Sequence, residues 1–174
     1  TTAHLSNAID DRYTEIESWH GLDGAKLAAE SHTAAIDTIE AIVAREEIDC
    51  DFERLDGFLF SAAETGSTLL ENELNAARRA GVANVELIQE SPITSFDTGV
   101  CLRFPRQGQF HPRKYLAGLT KAIRAMGGKI FTETRAGKID CGPPTRVTTN
   151  EKFTITATDV VVATNSPFND FVTM

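Results

Sequence analysis

The sequence predicts a mixed α/β fold with an antiparallel insertion, and three observations carry that reading. Apolar residues recur at helical spacing in four stretches, and short segments rich in Phe, Leu and Val fall between them. The run Val160-Val161-Val162-Ala163 is apolar on both faces, as a strand covered on both sides of an α/β sheet would be. Apolar residues make up 41% and charged residues 24% of the 174, the balance of a globular chain long enough to bury a core.

Ser6 is the candidate N-cap of a first helix. Ile9, Tyr13, Ile16 and Trp19 recur along it, Asp10 and Asp11 suit its first turn, and Gly21 ends it. A longer helix is predicted over 23–47, with Ala28, His32, Ala35, Ile39 and Ile42 as its inward stripe and His32 as half-buried packing. Beyond Cys50, strands over 52–55 and 58–61 meet at Asp56-Gly57, a turn or a bulge. Thr68 and Glu71 form a Thr-x-x-Glu capping box ahead of Leu70, Leu74 and Ala77, and Gly81 stops this third helix.

Residues 85–88 and 100–104 are the next strands, with Pro92 and Pro105 marking loops. His111-Pro112 opens a fourth helix, because proline has no N–H to leave unsatisfied at the first helical position. Leu116, Leu119, Ile123 and Met126 form its inward stripe, and Gly127-Gly128 closes it. A strand over 129–134, a meander over 146–157 turning near Asn150 and the buried valine-rich strand complete the pattern.

Charge and spacing exclude several function classes. A net charge of -8, with Lys and Arg scattered, opposes a nucleic-acid backbone. No apolar run approaches the roughly 20 residues that span a bilayer, and none follows a charged stretch as in a secretion signal, so a cytoplasmic location is expected. Cys50, Cys101 and Cys141 form no disulfide framework or CxxC knuckle, and reduced thiols are expected. His4, His20, His32 and His111 form no metal-binding pair. The absence of GxSxG sets aside a hydrolase. The chain opens on Thr1-Thr2-Ala3-His4 with no Met and no strand before its first helix, which reads as an internal piece of a longer protein.

Three segments carry a family likeness: Thr1-Thr2-Ala3-His4-Leu5-Ser6; Gly108-Gln109-Phe110-His111-Pro112 with Lys114-Tyr115-Leu116-Ala117-Gly118-Leu119; and Val161-Val162-Ala163-Thr164-Asn165. In order and spacing the chain resembles the FAD-dependent oxidoreductases of the D-amino-acid oxidase and glycine oxidase superfamily. More narrowly, it is similar to a bacterial subgroup often fused to a C-terminal Rieske iron–sulfur domain. The likeness implies a discontinuous, partial FAD-binding domain of Rossmann-like type over 1–50 and 111–174, and a partial substrate domain over 51–110. The family's GxGxxG loop, which sets a pyrophosphate on a helix N-terminus, is not found among these residues.

The same resemblance implies a set of site residues. Thr1, Thr2 and His4 match the segment beside the pyrophosphate and flavin ring, and Ala136 stands where relatives touch the adenine from the backbone, usually at a valine. Ala163, Thr164 and Asn165 end the valine-rich strand, the edge at which α/β sheets place ligands. Asn165 departs from the Ala-Thr-Gly of many relatives. Arg103 is the candidate to meet a substrate carboxylate and His111 a candidate to approach the substrate, although a solvated strand residue and a helix cap are the plain alternatives. The implied reaction oxidises a carbon–nitrogen bond of an amine or amino acid by hydride transfer to FAD, with electrons leaving to oxygen or an iron–sulfur partner. No catalytic acid or base is singled out. A non-catalytic binding module that keeps this scaffold is the alternative, and open sheet edges leave room for a homo-oligomer.

Overall fold

A computed structural model describes residues 3–61 and 66–165, arranged in two compact units, Thr1–Met126 and Gly127–Met174. The chain is mixed α/β with antiparallel sheets, as the patterning predicts. In the first unit the order is β1 (His4–Leu5), α1 (Tyr13–Arg45), β2 (Glu53–Phe60), α2 (Gly66–Arg79), β3 (Glu86–Ile88), β4 (Cys101–Gln109) and α3 (Pro112–Ala125). In the second, β5 (Ala136–Asp140), β6 (Thr145–Thr149) and β7 (Thr154–Ala157) form an antiparallel meander.

The central strand of the first sheet is β4. It pairs along its length with β2, while β3 joins it at Arg103, Leu102 and Cys101 and β1 at Gln109 and Gly108. One register row, Leu59–Leu102–Leu87, packs with Phe104 against α1 and α2, where Tyr13, Ile16, Ala25, Ala29, Leu70, Ala76 and Ala77 complete the core. Side chains alternate across a strand, so Arg103 falls on the opposite face. A second cluster, Ile48, Cys50 and Phe110, ties the end of α1 to the start of α3, with Tyr115 edge-on to Phe110 at 5.3 Å.

Several expectations are corrected. The first helix starts at Tyr13, not after Ser6: the Ser6 hydroxyl instead accepts from the N–H of Ala8 and donates to the Gln107 side chain. Asp10 and Asp11 therefore precede the helix, and Glu15 is its first-turn acid. Gly21 does break the helix, with φ 71 and ψ 174, but the chain resumes at once as a kinked continuation. Past that kink the buried residues are Ala25, Ala29 and Ile36, and His32, on the same face, is exposed with its Nδ1 3.1 Å from the Ser6 carbonyl oxygen.

Asp56-Gly57 lies at a bulge, not a turn: β2 is one continuous strand, and its Asp56 faces two residues of β4, Pro105 and Arg106. Thr68 and Glu71 lie inside α2, which begins at Gly66, so they do not cap it. Pro105 lies within β4, not in a loop, and its place in the sheet explains why. It sits in a bulge of β4, facing Asp56 together with Arg106, and between the stretches of β4 paired to β3 and β1, where no strand asks for its missing N–H. Arg106, next along, takes a φ of 59 and donates its N–H to Asp56 at 3.3 Å.

The stripe expected to face inward on α3 is largely uncovered: Leu116 is 60% exposed and Met126 75%. Only Leu119 of that stripe packs against the Ile48 cluster. Residues 129–134 form no strand, and the strand at that point is β5. The turn near Asn150 is present, with the Asn150 N–H donating to the carbonyl of Arg135. Residues 160–163 form no strand either, and Val161 is 88% exposed. A strand apolar on both faces is buried only where neighbours flank and cover it, and no such neighbours exist among the described residues of that unit.

Candidate functional site

A cleft of about 400 Å³ opens in the first unit beside the segment that joins β1 to α1. His4, Leu5, Ile9 and Arg12 supply one wall, and Leu55, Phe58, Leu59 and Gln107 of the sheet supply the other. The segment has no regular structure of its own, and long-range side-chain hydrogen bonds hold it.

The Gln107 amide is the first clamp: its oxygen accepts from the Asn7 N–H at 2.8 Å and the Ser6 hydroxyl at 2.9 Å. Its nitrogen donates to the Asn7 side-chain oxygen at 2.9 Å and to the Pro105 carbonyl at 2.9 Å, so the buried amide is fully used. Asn7 also donates to Thr33 of α1, and its carbonyl accepts from the Tyr13 hydroxyl at 2.6 Å. Burial, with the Glu73 charge adding to it, pushes the Tyr13 phenol above its ordinary range, so it stays a neutral donor.

Glu73 of α2 is the second clamp. It is 2% exposed, and its carboxylate accepts from the Tyr13 N–H at 2.8 Å and from the Thr14 N–H and hydroxyl, each at 3.1 Å. A helix leaves its first N–H groups unpaired, and the residue at the cap position, Arg12, with φ 59, offers no side-chain acceptor. The cap thus comes from another helix, and its negative charge suits the positive end of α1.

The residues singled out from sequence are distributed unevenly. His4 lies on β1 and lines the cleft, whereas Thr1 and Thr2 lie outside the described residues. Arg103 sits on the far sheet face, 3.5 Å from Asp56 and 3.6 Å from Glu86, and its buried Nε has no hydrogen-bond partner. His111 is the N-cap of α3: its Nδ1 accepts from the Lys114 N–H at 3.4 Å, and its own N–H donates to the Cys50 carbonyl at 2.7 Å. Neither Arg103 nor His111 lines the cleft.

In the second unit, Ala136 is half-buried on β5 opposite Thr149, and Ala163, Thr164 and Asn165 are exposed and lie in no helix or strand. All three cysteines are free, and burial raises the thiols of Cys50 and Cys101. Among the described residues no cluster of His, Cys, Asp or Glu could hold a metal ion, and no helix is long and apolar enough to cross a membrane.

Glu73 and Gln107 went unnoticed in the sequence. For Glu73 the signal was present: it stands on the apolar stripe of Leu70, Ala77 and Ala80, where an unpaired carboxylate would be costly. Gln107 left no such trace, because its partners lie 100 residues away.

The family of FAD dependent oxidoreductases has a sequence model that matches residues 3–173. The chain belongs to this family. It is 32% identical over 170 residues to a putative Rieske 2Fe-2S iron–sulfur protein, YhfW, of Bacillus subtilis, covering 98% of this chain and 33% of the relative. It is 28% identical over 171 residues to a gamma-glutamylputrescine oxidoreductase of Escherichia coli, covering 95% of this chain and 39% of that protein. The chain thus spans only 33% to 39% of the length of these relatives.

The cleft can be set against FAD, which presents a flat ring with polar edges and a charged pyrophosphate. Leu5, Ile9, Phe58 and Leu59 with His4 and Arg12 suit the ring, whereas about 400 Å³ is room for part of a dinucleotide. The pyrophosphate is not served by α1 or α3, whose N-termini are already filled by Glu73 and by His111. The residues of the first unit therefore fit the flavin end of the cofactor.

Proposed function

We propose that the whole protein is an FAD-dependent oxidoreductase that oxidises a carbon–nitrogen bond of an amine or amino acid. The observation that carries this reading is the family match, which runs over nearly the entire chain. The oxidoreductase relative supports the substrate class, and the Rieske relative supports an iron–sulfur domain in the same protein as electron acceptor.

When bound, FAD supplies the hydride acceptor, which leaves the side chains mainly to bind and orient. Leu5, Ile9, Phe58 and Leu59 would exclude water from the ring, and His4 would meet its polar edge, continuing the contact proposed for Thr1 and Thr2. The backbone at Ala136 would touch the adenine, with Ala163, Thr164 and Asn165 close to the cofactor. In this reading residues 1–50 and 111–174 belong to the FAD-binding domain and 51–110 to the substrate domain.

Arg103 is proposed to receive a substrate carboxylate. What supports this is its guanidinium on a partly exposed sheet face, oriented by ion pairs to Asp56 at 3.5 Å and Glu86 at 3.6 Å. His111 would act near the substrate only through its hold on the start of α3.

The test is the visible absorption spectrum of the full-length protein purified from cells. One flavin per chain is expected, bleached on addition of the amine substrate. A colourless full-length protein that takes up no added FAD sinks the proposal. The 174-residue chain alone is expected to hold FAD weakly or not at all, and a stoichiometric flavin spectrum from it would refute that part.

A further inference from the structure

Glu73 is a buried carboxylate that lines the cleft from α2. Its three acceptor contacts all go to the first two residues of α1. Those residues end the segment that carries His4, Ile9 and Arg12 along the cleft wall. The other tie between the same helices, Arg79 to Glu17 at 2.8 Å, is exposed and lies away from the cleft lining.

We infer that Glu73 is a positioning residue for the cofactor end of the cleft: by capping α1 from α2 it fixes where the β1–α1 segment lies. The inference rests on the proposed function only in naming flavin as the group that feels the position. An amide in place of the carboxylate keeps the shape but turns one acceptor into a donor. One of the Tyr13 and Thr14 N–H groups then faces another donor, and the first turn of α1 loses a cap. Arg12 already holds a φ of 59 with no cap of its own, so nothing local replaces the loss.

The experiment compares Glu73→Gln, Glu73→Asp and Leu70→Ala in the full-length protein. Leu70 is buried on the same helix, 1% exposed, and makes no bond to α1 amides. Two readouts are taken: the dissociation constant for added FAD, and amide hydrogen exchange at Tyr13 and Thr14 against Ala25 and Ala29.

Glu73→Gln is expected to weaken FAD roughly tenfold or more, as loss of a buried hydrogen bond would, and to speed exchange at Tyr13 and Thr14 while Ala25 and Ala29 stay protected. Leu70→Ala is expected to lower the thermal midpoint at least as far while FAD affinity stays within about twofold. If FAD affinity follows the thermal midpoint in both variants, or if exchange at Tyr13 and Thr14 is unchanged in Glu73→Gln, the positioning role is overturned. Glu73→Asp keeps the charge with a shorter reach and serves the same comparison should Glu73→Gln not fold. Failure of the wild type to bind FAD would remove the functional reading, while the exchange result still decides the role of Glu73.

Discussion

The two units solve the burial problem differently. In the first, two helices cover one face of a four-stranded sheet, and polar groups inside it are bonded across gaps of 60 and 100 residues. In the second, three short strands bond mainly to their sequence neighbours, only Thr149 is fully buried among the described residues, and Phe153, Ile155, Val161 and Val162 face solvent. Both units carry apolar runs, Phe58-Leu59-Phe60 in the first and Val160-Val161-Val162-Ala163 in the second. What differs is whether long-range partners exist to cover them, and tertiary covering rather than pattern makes a core.

The sharpest way to break this contrast is to cut the covered core. Phe104→Ala, at a side chain 1% exposed, is expected to cost about 3–5 kcal/mol in denaturant unfolding of the first unit. A loss below about 1 kcal/mol would mean that the sheet face is not packed as described. Next in size is Gly118→Ala on α3, where an added Cβ would press into the Ile48 side chain closer than real Cβ atoms come. It should cost roughly 1–3 kcal/mol, and Ile48→Ala in the same chain should recover part of that loss. Additive losses in the double variant would show that α3 does not rest on Ile48.

A smaller effect is expected from the ion pairs over β2. Arg54 donates to Glu40 at 2.7 Å and Asp37 at 2.6 Å, and the hydrogen bond from Arg54 holds the Glu40 carboxyl below its usual range. A carboxyl with a lowered folded pKa stabilises the protein above its unfolded pKa, and that gain vanishes as acid takes the pH down through the folded value. The stability difference between wild type and Arg54→Met should therefore be full near neutral pH and shrink below the ordinary glutamate range. Exposure of the Glu40 side chain keeps it small, and a difference that grows with acid would contradict the pairing. Smallest of all is Val161→Ser in the second unit, expected to move the stability of the 174-residue chain by less than about 0.5 kcal/mol. A loss above about 1 kcal/mol would show the valine-rich run to be covered in solution, and the contrast between the units would fall.

Much of the fold was legible because local signals sufficed. Gly81, with φ 102, and the His111-Pro112 start behave as their chemistry dictates, and strands appear near 85–88 and 100–104. The errors share a cause in longer-range structure. The stripe of α1 was misplaced because the small residues Ala25 and Ala29, not the larger Ile39 and Ile42, meet the main core, and Ser6 was misassigned because its hydroxyl is used by Gln107. Pro105 reads as a loop residue until the bulge that contains it is known. In the candidate site the family likeness singled out His4, which lines the cleft, whereas Glu73, which holds the adjoining segment, was missed although its place on an apolar stripe announced it.

The clamps on the cleft also bear on how any occupant would be detected. Because Gln107 and Glu73 hold the wall through the same contacts that dock the helices onto the sheet, the cavity has no existence apart from the folded unit. A molecule seated there binds only native chains, so mass action ties its occupancy to the melting temperature, which climbs with the logarithm of free ligand concentration. Heat-shift screening of flavins and amines thus becomes a direct assay for this cavity, even before a turnover has been observed.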